Sequence, residues 1–175
     1  MRQSKYEWFM SLARSVAQRS TCLRRMYGSV VENNGKVVST GYCGAPKGAE
    51  HCASCYRKTN NILAGQDYGK CRGVHSEGNS LLWAGIDKTI GGNIYVAGYD
   101  LENDNKEIVA IPCFQCTKMI VNAEIKYIVV AKIGDFPIKW DDIYYGGCKE
   151  DNFVLIRPVE LYNYYLNKLE IKNGR

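Results

Sequence analysis

No apolar run in this sequence is long enough to cross a bilayer, which excludes a helical integral membrane protein. Nor does it open on a secretory leader. Met1-Arg2-Gln3-Ser4-Lys5-Tyr6-Glu7-Trp8 is polar and mixed in charge. A cytoplasmic protein is therefore expected, with no membrane partner. Internal repeats and Gly/Ser/Pro-rich linkers are also missing, so residues 1–175 are expected to form a single domain, a length sufficient for a sizeable core. The eight cysteines, in a chain without a leader, point to metal binding before disulfides. The net charge of +5 is spread along the chain, which makes nucleic acid an unlikely partner and suits solubility or a pocket for one phosphorylated nucleotide.

The hydrophobic pattern alternates between helical and strand periods. Residues 4–19 have Tyr6, Phe9, Met10, Ala13, Val16 and Ala17 at helical spacing. A hairpin follows, with strands at 27–31 and 36–40 joined by Asn33-Asn34-Gly35, a turn sequence that tolerates positive φ. Residues 41–48 form a glycine-rich loop, and residues 49–70 show little periodicity, reading as irregular or as an insert organised by metal. A helix is expected from His75 to Ile86, strands at 93–99 and 107–111, and a helix from Cys113 to Ala123 opened by Pro112. A strand over 124–132, a last strand at 153–156 and a closing helix over 160–171 complete an α/β layered domain.

Two segments carry the chemistry: Cys71-Arg72-Gly73-Val74-His75-Ser76-Glu77-Gly78-Asn79 and Pro112-Cys113-Phe114-Gln115-Cys116. His75 offers a nitrogen ligand, and Cys113 and Cys116 offer two thiolates. Three such ligands leave the fourth tetrahedral position of Zn²⁺ open, as a catalytic site requires. Both segments open helices, whose N-termini favour thiolate over thiol. Glu77, two residues past the histidine, can approach a metal-bound water without being a ligand. In that arrangement zinc lowers the pKa of the water towards neutrality; Glu77 would pass the water's first proton to the ring nitrogen, and then help transfer the proton of the added hydroxyl to the departing amine. The pair H-x-E and P-C-x-x-C, in that order, is the signature of zinc-dependent nucleobase deaminases. The competing reading, a four-ligand structural knot, leaves Glu77 without a purpose.

Cys22, Cys52, Cys55 and Cys71 remain, with His51 beside Cys52. Cys52-x-x-Cys55 has a common zinc spacing, so a second, structural Zn²⁺ is expected; the alternative is four reduced, partly buried thiols. Cys43 lies in a loop suited to touch substrate, and Cys148 reads as an incidental thiol.

Taken together these motifs resemble the deoxycytidylate (dCMP) deaminase family of bacteria and their phages, within the cytidine deaminase superfamily. The resemblance runs through Arg19-Ser20-Thr21-Cys22, Gly41-Tyr42-x-Gly44-x-Pro46, the two metal segments, Lys118-Met119-Ile120-x-Asn122-Ala123 and Trp140-Asp141-Asp142. It implies a three-layer α/β/α domain with a central five-stranded mixed sheet, and hydrolysis of dCMP to dUMP on the route to thymidylate. It further implies a homo-oligomer, often a hexamer, dCTP and dTTP as effectors in some members, and residence in the cytoplasm (the host's, for a phage protein). Tyr42, Cys43, Gly44, Ser76, Asn79 and Ile111 would face the nucleotide. Four positions depart from the family pattern: Cys43 replaces the usual asparagine, Ser76 the usual alanine, Ile86 a common arginine, and residues 99–110 look inserted. Each bears on which nucleotide fits, so dCTP, a modified cytosine nucleotide or a nucleic-acid base are alternative substrates. A catalytically silent zinc module is the alternative of another class.

Overall fold

The computed structural model describes residues 2–63, 66–134 and 152–172. Helix α1 (Lys5–Ala17) starts at a capping box. The Ser4 hydroxyl accepts from the Glu7 N–H at 3.2 Å, and the Glu7 carboxylate accepts from the Ser4 N–H. The expected hairpin is present and longer than the pattern suggested, as β1 (Arg25–Asn33) and β2 (Lys36–Tyr42), with Asn34 and Gly35 both at positive φ. Among its described residues, the poorly patterned insert contains a short helix, α2 (Tyr56–Thr59), and a 3₁₀ turn at Tyr68–Lys70. Helix α3 (Ser76–Ala84) stops two residues before the expected Ile86, because Gly85 turns to φ +75°; a separate short helix, α4 (Ile86–Thr89), follows.

Strand β3 (Asn93–Asp100) leads into β4 (Lys106–Ile108), then helix α5 (Phe114–Asn122), strand β5 (Tyr127–Ala131), strand β6 (Phe153–Ile156) and helix α6 (Pro158–Lys172). The sheet order is β2-β1-β3-β5-β6, with the short β4 also paired to β3. β3 and β5 are parallel, connected through α5, while the other pairs are antiparallel. The sheet is thus the expected mixed five strands plus one short addition. That addition comes from residues 99–110: β5 pairs with Asn93–Val96, and β4 occupies the same side of β3 further along, at Gly98–Asp100.

Alternation along the strands builds two cores. Ile94, Val96, Ile128 and Val130 point to one face, where Ile120 and Leu161 pack on them. Tyr95, Ala97 and Val129 point to the other, against Phe9, Met10 and Ala13 of α1. This is a three-layer α/β/α arrangement. Two glycines permit the close layer contacts. A Cβ at Gly28 would meet the backbone of Ala13 and Ala17, and one at Gly41 would meet the backbone of Ser76 and Ser80. No helix among the described residues is long and apolar enough to cross a membrane. Cys148 and Trp140-Asp141-Asp142 lie outside the described residues.

Candidate metal centre

Both metal segments enter helices through extended cap residues. His75 caps α3 at φ −72°, ψ 153°, and Cys113 caps α5 at φ −68°, ψ 167°. The α5 helix therefore begins one residue later than expected, with Pro112 just ahead of its cap. The cap carbonyls accept the first helical bonds, from Asn79 N–H at 3.1 Å and Thr117 N–H at 2.8 Å. Cys116 sits three residues into the first turn of α5, and its side chain returns towards Cys113.

Several bonds place α3 against the hairpin. The Ser29 hydroxyl donates to Ser80 Oγ at 2.8 Å, Ser39 Oγ donates to the Ser80 carbonyl at 2.6 Å, and Asn79 Nδ2 donates to the Tyr42 carbonyl at 2.8 Å. A backbone bridge between Gly44 and Val74 ties the loop after β2 to the residue preceding His75.

The three ligand groups converge. His75 Nδ1 lies 3.4 Å from Cys113 Sγ and 3.4 Å from Cys116 Sγ. All three ligand atoms fall within 4.8 Å of one another. Tetrahedral Zn²⁺ with ordinary bond lengths separates its nitrogen and sulfur ligands by about 3.6 Å, so the three groups fit the ion as they stand. The electrostatics agree. Cys116 donates to Cys113 and drives that thiol down to about 4, with burial opposing and His75 assisting. Cys116 is pushed up, by the Cys113 hydrogen bond first, then by burial and the negative Glu77. His75 is raised by its hydrogen bond to Cys113. Without metal, the pair thus behaves as one thiolate sharing the proton of the other. Glu77 is buried beside them at 5% exposure, and one carboxylate oxygen accepts a 2.8 Å hydrogen bond from the fully buried Ser76 hydroxyl.

A cavity reaches this centre, lined by His75, Gly44, Tyr27, Arg24, Arg25 and Arg57 among others. The Nε atoms of the three arginines are buried without a hydrogen bond among the described residues. The 99–110 addition helps hold two of these arginines: Arg24 pairs with Glu102 at 3.6 Å and Arg25 with Asp100 at 3.5 Å. Arg57 lies over the Tyr68 ring at 4.4 Å, and that ring meets His75 edge-on at 4.9 Å.

The residues expected at the nucleotide separate into two groups. Gly44 and Cys43 line the cavity with His75, and Ser76 contacts Glu77. Asn79 braces the Tyr42 carbonyl, Tyr42 is partly exposed, and Ile111 packs on the hydrophobic core. Cys43 does not reproduce an asparagine. Its Sγ is held 2.9 Å from Ser20 Oγ, 3.3 Å from the Tyr27 N–H and 3.4 Å from the Arg25 carbonyl. It also hydrogen-bonds Cys22, which lowers Cys22 to about 5 and raises Cys43 itself.

Among the described residues, the convergent three-ligand group is His75, Cys113 and Cys116. Cys22 interacts with Cys43 and lines one cavity with Cys71, and Cys71 lines a second cavity with His51, Cys52 and Cys55. Among the described residues, no three of Cys22, Cys52, Cys55 and Cys71 bring their ligand atoms within 4.8 Å of one another.

Sequence spacing did not disclose Arg57, Tyr68 and Tyr165. The first two sit in the unpatterned insert. Tyr165 belongs to the tyrosine run of α6. Its ring does pack, on Phe114 at 5.8 Å, but its hydroxyl also donates to the Pro112 carbonyl at 2.8 Å. Burial keeps that hydroxyl protonated, and the Cys113 charge adds to the effect.

Residues 3–132 match the family described as the cytidine and deoxycytidylate deaminase zinc-binding region. The chain belongs to this family. It is 35% identical to the deoxycytidylate deaminase of Mycobacterium phage D29 over 131 residues, covering 72% of this chain and 93% of that one. It is 32% identical to the deoxycytidylate deaminase of Schizosaccharomyces pombe over 130 residues, covering 73% of this chain and 37% of the yeast protein. A dCMP deaminase from the cyanophage S-TIM5, solved in complex with dCMP and dUMP, shares the fold at a TM-score of 0.52 and 24% identity, covering 73% of this chain and 81% of that one. A zinc-dependent hydrolytic deaminase centre at His75, Cys113 and Cys116 is consistent with each of these findings.

Proposed function

We propose that this protein hydrolyses dCMP to dUMP and ammonia. The observation that carries the reading is the convergence of His75, Cys113 and Cys116 beside buried Glu77. Bound there, zinc supplies an acidified water as the nucleophile. Glu77 would take up the proton lost when water adds to the carbon bearing the exocyclic amine. It delivers the proton to the ring nitrogen and assists departure of ammonia. Ser76 occupies one Glu77 oxygen and leaves the other for this transfer. Arg24, Arg25 and Arg57 line the cavity that reaches His75, and their positive charge supports a phosphorylated substrate over a free nucleoside.

Purified zinc-loaded protein is incubated with cytidine, dCMP, dCTP and 5-substituted dCMPs, and ammonia release is followed beside Glu77→Ala. Turnover of dCMP that is absent from the variant supports the reading. Turnover of dCTP or a modified nucleotide instead moves the substrate, with Cys43 as the reason. Silence on all of them despite bound zinc favours a polymer substrate or a silent module.

Further parts of the reading have their own support. Leu82, Trp83, Ile86 and Ile90 form an exposed apolar stretch at α3 and α4, which suits a homo-oligomer such as a hexamer and is tested by light scattering. Regulation by dCTP and dTTP is tested by their effect on dCMP saturation curves. The protein works as one domain in the cytoplasm, the host's if a phage encodes it. A second, structural zinc held by Cys22, Cys52, Cys55 and Cys71 is supported by Cys71 lining one cavity with Cys52 and Cys55 and another with Cys22, and requires two zinc ions per chain by elemental analysis.

A further inference from the structure

Helix α6 begins at Pro158, beyond residues 3–132 that match the family, yet it reaches the metal centre. Phe114, the first residue of α5, stacks on Tyr162 of α6 at 5.6 Å with the rings 19° from parallel, and tilts against Tyr165. The Tyr165 hydroxyl donates to the Pro112 carbonyl at 2.8 Å, across 53 residues of sequence. That carbonyl has a particular need for a donor. Helical hydrogen bonding in α5 begins with the Cys113 carbonyl, accepted from Thr117, so the Pro112 carbonyl lies one residue too early for the ladder. Thr117 Oγ1 also reaches it, but only at 3.5 Å, while making its shorter 3.0 Å bond to the Cys113 carbonyl. The Pro112 carbonyl and the Cys113 nitrogen share one peptide plane. Fixing that plane limits how the Cα–Cβ bond of Cys113 can swing, and a metal site tolerates only about 0.5 Å of misplacement.

We propose that Tyr165 is a positioning residue for the zinc centre: by holding the Pro112–Cys113 peptide plane, its hydroxyl aims Cys113 at the metal. Zinc retention thereby depends on a helix outside the region shared with the family. The proposal rests on the zinc reading of His75, Cys113 and Cys116.

The test uses the full chain and its Tyr165→Phe and Tyr162→Phe variants. Each substitution removes one oxygen and keeps the ring on Phe114, and urea midpoints verify that both variants are folded. Zinc affinity is measured by competition with a chromogenic chelator, and ligand geometry by the absorption spectrum of the Co²⁺-substituted protein. Partners that orient metal ligands typically contribute 10- to 100-fold to affinity, and Tyr165 acts one peptide removed, so Tyr165→Phe is expected to weaken zinc by about tenfold. It also shifts the Co²⁺ bands, while Tyr162→Phe does neither. Parental affinity and an unchanged Co²⁺ spectrum in Tyr165→Phe overturn the proposal. Equal losses in both variants overturn it too, since packing of α6 would then suffice. A parent protein that takes up no zinc overturns the metal reading, and the proposal with it.

Discussion

The hydroxyl of Ser76 donates to Glu77 Oε2 at 2.8 Å, between two neighbouring side chains that are both buried at the start of α3. An alanine at position 76 could not make this bond. A buried carboxylate without a partner is costly, and hydrogen bonds to charged groups contribute about 1.5–3 kcal/mol. The serine therefore holds Glu77 in one orientation beside the metal ligands. Ser76→Ala is expected to lower kcat about tenfold with little change in KM, as measured by steady-state ammonia release. An unchanged kcat would show that Glu77 is oriented without the serine.

Glu77→Gln keeps the size of the side chain and removes its ability to accept the proton. General acid–base groups contribute roughly 10²- to 10⁴-fold, so kcat should fall by that range while zinc content stays at the parental level. Elemental analysis of the purified variant separates a lost proton carrier from a lost metal.

Zinc binding should release protons and tighten as pH rises. Cys113 is lowered to about 4, so it is already a thiolate near neutrality and releases nothing. Cys116 is raised, and must give up its proton to become a ligand; His75 is also raised, and must be neutral to bind. Protons therefore compete with the metal at lower pH. Each proton released corresponds to about a tenfold gain in affinity per pH unit, readable by chelator competition between pH 6 and 8. A pH-independent affinity would mean both groups are free of protons before the metal arrives.

Cys22 is lowered to about 5 by its hydrogen bond from Cys43, with burial opposing. The thiolate is the reactive form, so alkylation of Cys22 by iodoacetamide should hold a nearly constant rate from pH 8 to pH 6 and fall only towards pH 5. An ordinary cysteine loses about tenfold per pH unit over that range. Peptide mapping by mass spectrometry gives the rate at this one site.

Gly28→Ala places a Cβ into the backbone of Ala13 and Ala17, where α1 rests on β1. Backbone cannot move aside as a flexible side chain can. A loss of about 1–3 kcal/mol is expected, measured as a lower urea midpoint with an unchanged slope.

The sequence by itself determined the grouping of His75, Cys113 and Cys116 and the layered fold. His75 and Glu77 are two residues apart, and Cys113 and Cys116 three apart, each pair within one helix start, so local geometry dictates their directions. The hairpin was equally legible, because Asn34-Gly35 supplies positive φ within the turn itself. The alternation of Ile94, Tyr95 and Val96 likewise assigns opposite faces of β3 without reference to any distant residue. The tertiary structure alone decided the rest. It set Cys22 beside Cys43, across 21 residues of sequence. It brought Arg57 and Tyr68, from a segment with no periodicity, to the cavity at His75. It carried the Tyr165 hydroxyl to the Pro112 carbonyl. These contacts join residues that lie far apart in sequence, and which of them meet depends on how the layers stack. Local spacing contains no record of that stacking, whereas the chemistry of the zinc ligands is written into two short segments.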